Sequence, residues 1–244
     1  MTYCVGLQID QGLVLMSDTR TNSGVDYISS FRKLHHWVVP GDRVIALLSS
    51  GNLATTQAVI SKLEERSKAP GERRNSLLDA PTMFQVATLV GDVLRETIRD
   101  SAKSDSPDAS GTFTASFILA GQIAGMEPRL FLIYPEGNFI ESSADTPFFQ
   151  VGETKYGRPI LIRAYDPAMS FEDAIKLLMV SFDSTLKANL SVGMPLDLLV
   201  LERGNFEPLH HRRIPDDDPY FRSISSGWSD ALRRAFEELP GYSL

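Results

Sequence analysis

Strand-like and helix-like patterns occur in separate blocks along this chain, and their order is what most restricts its fold. Short apolar runs bounded by turn residues come first, and two amphipathic patterns follow them. The predicted strands of this first part are 3–9, 12–19, 33–39 and 43–49. The predicted helices are 52–66 and 82–101. Pro40 and Gly41, between the third and fourth strands, are the corner residues of a type II turn.

The second half of the chain repeats the blockwise order. Predicted strands cover 112–123, 129–134, 138–142 and 196–202. A proline predicts a short helix over 158–165, Ser170 is a good N-cap for a longer helix, and a last helix is predicted over 226–238.

Blocks of strands and helices argue against a parallel, doubly wound sheet, in which the two would alternate strictly. Two antiparallel sheets stacked face to face, with helices outside, would bury every apolar face. The sequence therefore predicts an α+β fold of this kind. At 244 residues the chain is long enough to bury a full core, and one domain is favoured over two.

Composition excludes several partners. The formal net charge of −7 argues against nucleic acid, which would require a basic face. No apolar run reaches the ~18 residues of a membrane-spanning helix, and no secretory signal is visible. Cys4 is the single cysteine and is interpreted as a small core residue, which fits a reducing cytoplasm. A cytoplasmic location is therefore expected.

No metal or cofactor is predicted. The two histidine pairs, 35–36 and 210–211, are strand neighbours whose side chains point to opposite faces, so neither pair can chelate as a unit. The run Asp216-Asp217-Asp218 lacks the spacing of a calcium loop. There is no glycine-rich phosphate loop, so any use of ATP would depend on a partner.

The first residues carry the chemistry. Met1 precedes Thr2, which is small enough for the initiator methionine to be trimmed away. Thr2 would then hold a hydroxyl nucleophile and an α-amine, with a reference pKa of about 8, on one residue. Asp18 and Lys33 follow, and an acid with a lysine can tune that nucleophile. Without Thr2, this pair would be interpreted as a structural salt bridge at the end of a sheet. With Thr2 at the N-terminus, a catalytic role is favoured.

These elements resemble a proteasome β-type subunit of the N-terminal-nucleophile hydrolase superfamily. The resemblance is carried by Thr2, Gly12, the Asp18-Thr19-Arg20 triplet, Lys33-Leu34 and Ser49-Ser50-Gly51. The opening Met1-Thr2-Tyr3-Cys4-Val5-Gly6 is most similar to the bacterial ancestral β-subunit (Anbu) group. The resemblance implies a four-layer αββα sandwich that assembles into homo-oligomeric rings or open spirals.

It also implies an activity, the hydrolysis of peptide or protein amide bonds by an N-terminal threonine. Thr2, Asp18 and Lys33 are the implied catalytic residues, and the Gly51 backbone N–H is the implied oxyanion donor. Arg20 could bind substrate or fix a local loop. A small-molecule amidase and a weakly active assembly scaffold are the alternatives. The sequence does not identify an unfoldase partner.

The chain departs from the family pattern at two places. The family carries a Gly-Ser-Gly turn where this chain has Val151-Gly152-Glu153-Thr154, and Asp-x-x-Ser-Gly before the last strand. Here Asp183 and Ser191 are the acid and the serine nearest that motif. Either the support of the terminal amine is built differently, through Ser191 alone, or activity is weak. We expect residues 1–219 to form the hydrolase domain and 220–244 a helical extension, packed on it or on a neighbouring subunit.

Overall fold

The computed structural model describes residues 2–23, 27–68, 76–103 and 113–243, and within these ranges the chain forms twelve strands and five helices. The strands are β1 (Tyr3–Ile9), β2 (Gly12–Asp18), β3 (Arg20–Ser23), β4 (Tyr27–Ser30), β5 (Leu34–Val39), β6 (Arg43–Gly51), β7 (Ala115–Ile123), β8 (Arg129–Ile133), β9 (Phe139–Glu141), β10 (Phe148–Gly152), β11 (Leu196–Glu202) and β12 (His210–Ile214). The helices are α1 (Leu53–Lys68), α2 (Met83–Lys103), α3 (Arg158–Ala164), α4 (Phe171–Ala188) and α5 (Pro219–Glu237).

Two five-stranded antiparallel sheets form the centre of the molecule. The first has the strand order β10-β1-β2-β11-β12, and the second has the order β5-β6-β7-β8-β9. Strands β3 and β4 form a separate two-stranded hairpin. Because sequential strands join through short turns, the antiparallel arrangement follows from the blockwise pattern of the sequence.

Three apolar clusters separate four layers, which confirms the predicted αββα sandwich. One cluster lies between the first sheet and α3, α4 and the start of α5. A second lies between the two sheets, and a third packs the second sheet against α1 and α2. Strand β1 contributes to two clusters, since Tyr3 and Val5 face the helices while Cys4 faces the other sheet. Burial on both faces explains why β1 reads as an apolar run.

The environment of Cys4 matches the interpretation made from the sequence. Its side chain is fully buried, and its thiol donates to the carbonyl oxygen of Ser49 at 3.5 Å. Burial raises the pKa of this thiol far above its ordinary value, so Cys4 stays a neutral core residue.

Four strands were missing from the prediction. Strands β3 and β4 are short and polar, and β10 lies in a stretch without a clear alternation of apolar and polar residues. Strand β12 has the sequence HHRRI, and because most of its side chains are exposed, the sequence gives no sign that it pairs with β11.

Helix α5 begins at Pro219, whereas the prediction placed its start at 226. Asp218 is its N-cap and accepts from the Phe221 N–H at 2.8 Å. The predicted strand 112–123 begins at residue 112, outside the described residues.

None of the helices in the described ranges combines the length and apolarity needed to cross a bilayer.

Candidate active site

Asp18 and Lys33 form a buried ion pair at one end of the sheet sandwich. Asp18 is the last residue of β2, and Lys33 immediately precedes β5. Lys33 Nζ donates to Asp18 Oδ1 at 2.7 Å and to the Arg20 carbonyl oxygen at 2.5 Å. Both side chains are nearly inaccessible to solvent. The predicted pair is therefore present, and two acceptors fix the ammonium group in position.

Asp18 also reaches the strand that carries the predicted nucleophile. Its Oδ1 accepts from the Tyr3 N–H at 3.0 Å, and its Oδ2 accepts from the Gly193 N–H at 3.3 Å. Burial raises the pKa of the Asp18 carboxyl, while Lys33 and these donors lower it. One carboxylate thus joins Lys33 to the residue after Thr2.

Thr2 is held by the end of β10. Tyr3 pairs with Gly152 in the β1–β10 ladder, and beyond that pair the Glu153 N–H donates to the Thr2 carbonyl oxygen at 2.7 Å. Gly152 has a positive φ of +87°, and a Cβ there would lie 2.0 Å from the Thr2 oxygen. A side chain at position 152 would displace Thr2, so glycine is required. Met1, whose removal the sequence predicts, lies outside the described residues.

A cavity of about 700 Å³ opens beside Thr2. Thr2, Lys33 and Gly51 all line it, so the structure brings these predicted residues to one place. One face of α1 forms a long wall of the cavity. That face presents Leu53, Thr56, Gln57, Ile60, Ser61 and Glu64, which recur at helical spacing.

Gly51 is a glycine for a reason that the sequence did not reveal. The absence of a Cβ would let a substrate approach closely, as the implied oxyanion donor requires. In the structure Gly51 has φ +118°, and a Cβ would lie 2.4 Å from the Thr114 carbonyl oxygen. The glycine is therefore dictated by contact with the neighbouring backbone. Gly51 lines the cavity beside Thr2, so we still expect its backbone N–H to be the oxyanion donor.

Arg20 fixes a local loop, one of the two roles considered for it. Its guanidinium donates to the Leu190 carbonyl oxygen at 2.9 Å and occupies the space where a Cβ of Gly193 would lie. This loop, residues 189–195, joins α4 to β11 and includes the Gly193 N–H that binds Asp18. By fixing this loop, Arg20 helps to position the Gly193 N–H that donates to Asp18.

The acid picked from the sequence before the last strand lies elsewhere. Asp183 pairs with Lys187 one turn along α4 at 3.0 Å, and Lys187 also donates to Ser229 Oγ of α5. The structure instead brings Glu153 next to Thr2 through the backbone bond described above. Glu153 Oε2 accepts from Asn189 Nδ2 at 2.9 Å. Counting back four residues from Gly193, in the spacing of the family motif, would have pointed to Asn189.

The histidine pairs meet in a way that the sequence argument overlooked. In the first pair, His35 lines the cavity beside Thr2, whereas His36 does not. However, His36 on β5 and His211 on β12 contact each other across the sandwich, with ring centroids 4.7 Å apart. Burial, and secondarily His211, lower the pKa of His36. No group of three or more potential metal ligands occurs within the described ranges.

Comparison with known proteins shows the family of this chain. A proteasome subunit family model matches residues 2–200. Proteasome subunit beta type-7-A of Arabidopsis thaliana is 26% identical over 225 residues, covering 91% of this chain and 73% of that protein. Proteasome subunit beta of Methanopyrus kandleri is 21% identical over 221 residues, covering 89% of this chain and 92% of that protein.

Solved structures extend the likeness to the whole chain. Anbu (ancestral beta-subunit) from Yersinia bercovieri is 44% identical with a TM-score of 0.92 and covers 100% of both chains. The structure described as the helical assembly of the Anbu complex from Pseudomonas aeruginosa is 44% identical with a TM-score of 0.91, covering 99% of this chain and 98% of that one. The resemblance predicted from the opening residues is confirmed: the chain belongs to the proteasome subunit family, within its ancestral β-subunit (Anbu) group.

Proposed function

We propose that this protein hydrolyses peptide amide bonds with Thr2 as the nucleophile, after removal of Met1, and that Asp18, Lys33 and Gly51 serve that reaction. The observation that carries the proposal is the buried Asp18–Lys33 pair: Asp18 accepts from the backbone N–H of Tyr3, next to Thr2, and Lys33 lines the same cavity as Thr2. Proteasome β-subunits are N-terminal threonine peptidases, and the family assignment supports the same activity here.

The reaction runs through an ester intermediate. Thr2 Oγ attacks the substrate carbonyl, while the Thr2 α-amine in its neutral form accepts the hydroxyl proton. The carbonyl oxygen becomes an oxyanion, and the Gly51 N–H donates to it. Collapse of this intermediate breaks the C–N bond, and the leaving amine takes the proton. Water then hydrolyses the ester, giving the carboxylic acid and restoring the Thr2 hydroxyl.

The ion pair prepares Thr2 for the first step. A positive charge near a hydroxyl favours its alkoxide form, so the Lys33 ammonium lowers the cost of removing the proton. Asp18 Oδ1 and the Arg20 carbonyl oxygen hold that ammonium at 2.7 and 2.5 Å. The charge is therefore in place before substrate binds, which is the condition for electrostatic catalysis.

The shape of the cavity favours a peptide over a compact amide. The α1 wall runs from Leu53 to Glu64, which lie eleven residue steps apart, and at about 1.5 Å per step this is a length of roughly 16 Å. An extended peptide rises about 3.3 Å per residue, so roughly five residues would lie along this wall. A small-molecule amidase would not require such a wall. A preference for longer peptides over small amides would therefore distinguish a peptidase from a small-molecule amidase.

Covalent labelling tests the proposed nucleophile. We expect an electrophile that traps N-terminal threonines to add its mass to the peptide that begins at Thr2, because hydroxyl and amine lie on the same residue. Intact mass should first show the loss of Met1. Peptides of one to six residues, each with a C-terminal reporter amide, should be cleaved faster as they lengthen. Labelling at another residue, or none, would contradict the proposal.

We also propose that the protein assembles into a homo-oligomer, a ring or an open spiral. The similar protein from Pseudomonas aeruginosa is described as a helical assembly. In this chain the first turn of α5 packs on its own core through Phe221, which is buried. Apolar side chains near the end of this helix and just after it are exposed: Leu232 is 50%, Phe236 77% and Leu239 65% accessible. Such a stripe favours a subunit contact.

Charge introduced on this stripe tests the assembly. Because Phe221 belongs to the core, deleting residues 220–244 would also damage the fold, so point variants are the sharper choice. We expect Phe236→Glu combined with Leu232→Glu to reduce the mass measured by light scattering to that of small species. Ile162→Glu on α3, whose side chain is 60% exposed, is the matched control and should leave the mass unchanged. Unchanged assemblies in the double variant would show that the stripe is not a contact.

The division into a domain of residues 1–219 and an extension of 220–244 stays a prediction, as does the cytoplasmic location. An ATP-dependent unfoldase partner stays unknown. The sequence still identifies no such unfoldase.

A further inference from the structure

Glu153 is a buried carboxylate without a cationic partner in the part of the chain that the structure describes. The residue is only 7% exposed. Its Oε1 accepts from the Lys155 N–H at 3.0 Å, and its Oε2 accepts from the Asn189 side-chain amide at 2.9 Å. Both donors are neutral groups. They orient the carboxylate but do not balance its charge.

A buried charge without a counter-ion is costly, so a cation near this carboxylate would be strongly favoured. Such a cation arises when the chain is processed at its N-terminus. Removal of Met1 frees the α-amino group of Thr2, which has a reference pKa of about 8 and is largely protonated at neutral pH. The Glu153 N–H already donates to the Thr2 carbonyl oxygen at 2.7 Å, so these two residues are directly opposite each other.

The positions of Glu153 and Asn189 show how the family pattern has changed. The Gly-Ser-Gly turn has a neutral serine where this chain has Glu153, after Gly152. The Asp-x-x-Ser-Gly motif has its acid four residues before glycine, where this chain has Asn189 before Gly193. Counted along these two motifs, the acid lies at the position of the serine and an amide at the position of the acid. The two side chains hydrogen-bond to each other.

We propose that the Glu153 carboxylate is the counter-ion of the Thr2 α-amino group in the mature protein, with Asn189 holding it in position. This inference rests on the proposed maturation at Thr2, and it answers how the terminal amine is supported without the usual acid. Ser191, the residue suggested by the sequence, uses its backbone N–H to bind Asn189 Oδ1 at 2.9 Å and so supports the pair indirectly.

Other ionisable groups also lie near Thr2, and Arg32, His35 and Glu64 line the same cavity. Asp18 on β2 and Lys33 before β5 neutralise each other. Arg20 on β3 is directed to the Leu190 carbonyl oxygen, and the Lys155 residue is exposed. Cys4 on β1 is kept neutral by burial, which raises its pKa. Glu153 is thus the carboxylate whose removal should change the basicity of the amine most directly.

The experiment measures the pKa of the Thr2 α-amine without requiring turnover. The full-length mature protein is acylated briefly with an amine-selective reagent across a pH series, and mass spectrometry quantifies the modified N-terminal peptide. A nearby carboxylate stabilises the ammonium form, so Glu153→Gln should lower the pKa of this amine by about one unit. Asp183→Asn, a buried carboxylate already paired with Lys187, is the matched control and should leave it unchanged.

The outcomes separate this inference from the proposed function. A lowered amine pKa in Glu153→Gln supports the counter-ion even if no peptide is cleaved, in which case the proposed function alone fails. An amine pKa equal to that of the unmodified sequence overturns the counter-ion even if peptides are cleaved. In an active enzyme, the acidic limb of the kcat/KM profile should shift to lower pH in Glu153→Gln, in parallel with the labelling curve. A retained Met1, visible in the intact mass, would overturn both.

Discussion

Replacing Thr2 by alanine is expected to abolish peptide hydrolysis, by at least about 10³-fold in kcat, while the protein still folds and assembles. The variant removes the hydroxyl that attacks the substrate. It leaves the backbone bond from the Glu153 N–H to the Thr2 carbonyl oxygen and the Asp18–Lys33 pair intact. Turnover of a reporter peptide, circular dichroism and light scattering together measure these three properties.

Two further variants make the result specific to the hydroxyl. Thr2→Ser keeps a hydroxyl and an α-amine and should retain measurable turnover, with a reduction caused by the loss of the γ-methyl group. Thr88→Ala removes an exposed threonine hydroxyl on α2 and should behave like the unmodified protein. Equal activity of Thr2→Ala and the unmodified protein would assign the nucleophile to another residue.

The sequence could predict the layers of this fold because each layer has its own apolar periodicity. The faces of α1, α2 and α4 were visible at helical spacing, and β1, β2 and β6 were visible as apolar runs. The strands that were missed draw their stability from pairing with a neighbour. Strand β12 pairs with β11 over five residues while exposing four of its own, so its side chains carry no strand signal.

The site was predictable to the extent that it lies near the N-terminus. Thr2, Asp18 and Lys33 lie within 33 residues and match a family pattern, so their meeting could be expected. Glu153 and Asn189 are far from Thr2 in sequence, and they meet only because β10 pairs with β1 while α4 ends beside it. Because β10 was not predicted, nothing in the sequence placed Glu153 and Asn189 beside Thr2, and Asp183 was chosen as the acid.

Lys33→Ala is expected to lower kcat/KM by about 10³-fold and to change the protonation of Asp18. Lys33 is the largest influence that lowers the Asp18 pKa against the effect of burial. Without it the pKa rises further, which favours the protonated form of Asp18. A carboxylic acid band in the infrared spectrum, absent from Asp18→Asn/Lys33→Ala, would report that proton. Full turnover in Lys33→Ala would show that the pair is only structural.

Lys33→Ala should also lower thermal stability, and the size of this effect should depend on pH. A carboxyl whose folded-state pKa is raised above its unfolded value of about 3.9 contributes stability below that value and loses it as pH rises through the folded pKa. The melting temperature of Lys33→Ala should therefore fall further below that of the unmodified protein as pH increases from 4 to 8. In Asp18→Asn/Lys33→Met the buried charge is gone, so thermal stability at pH 8 should exceed that of Lys33→Ala. Its activity should stay as low, because the ammonium beside Thr2 is still missing. Recovery of stability without recovery of turnover would separate the catalytic role of this ion pair from its part in folding.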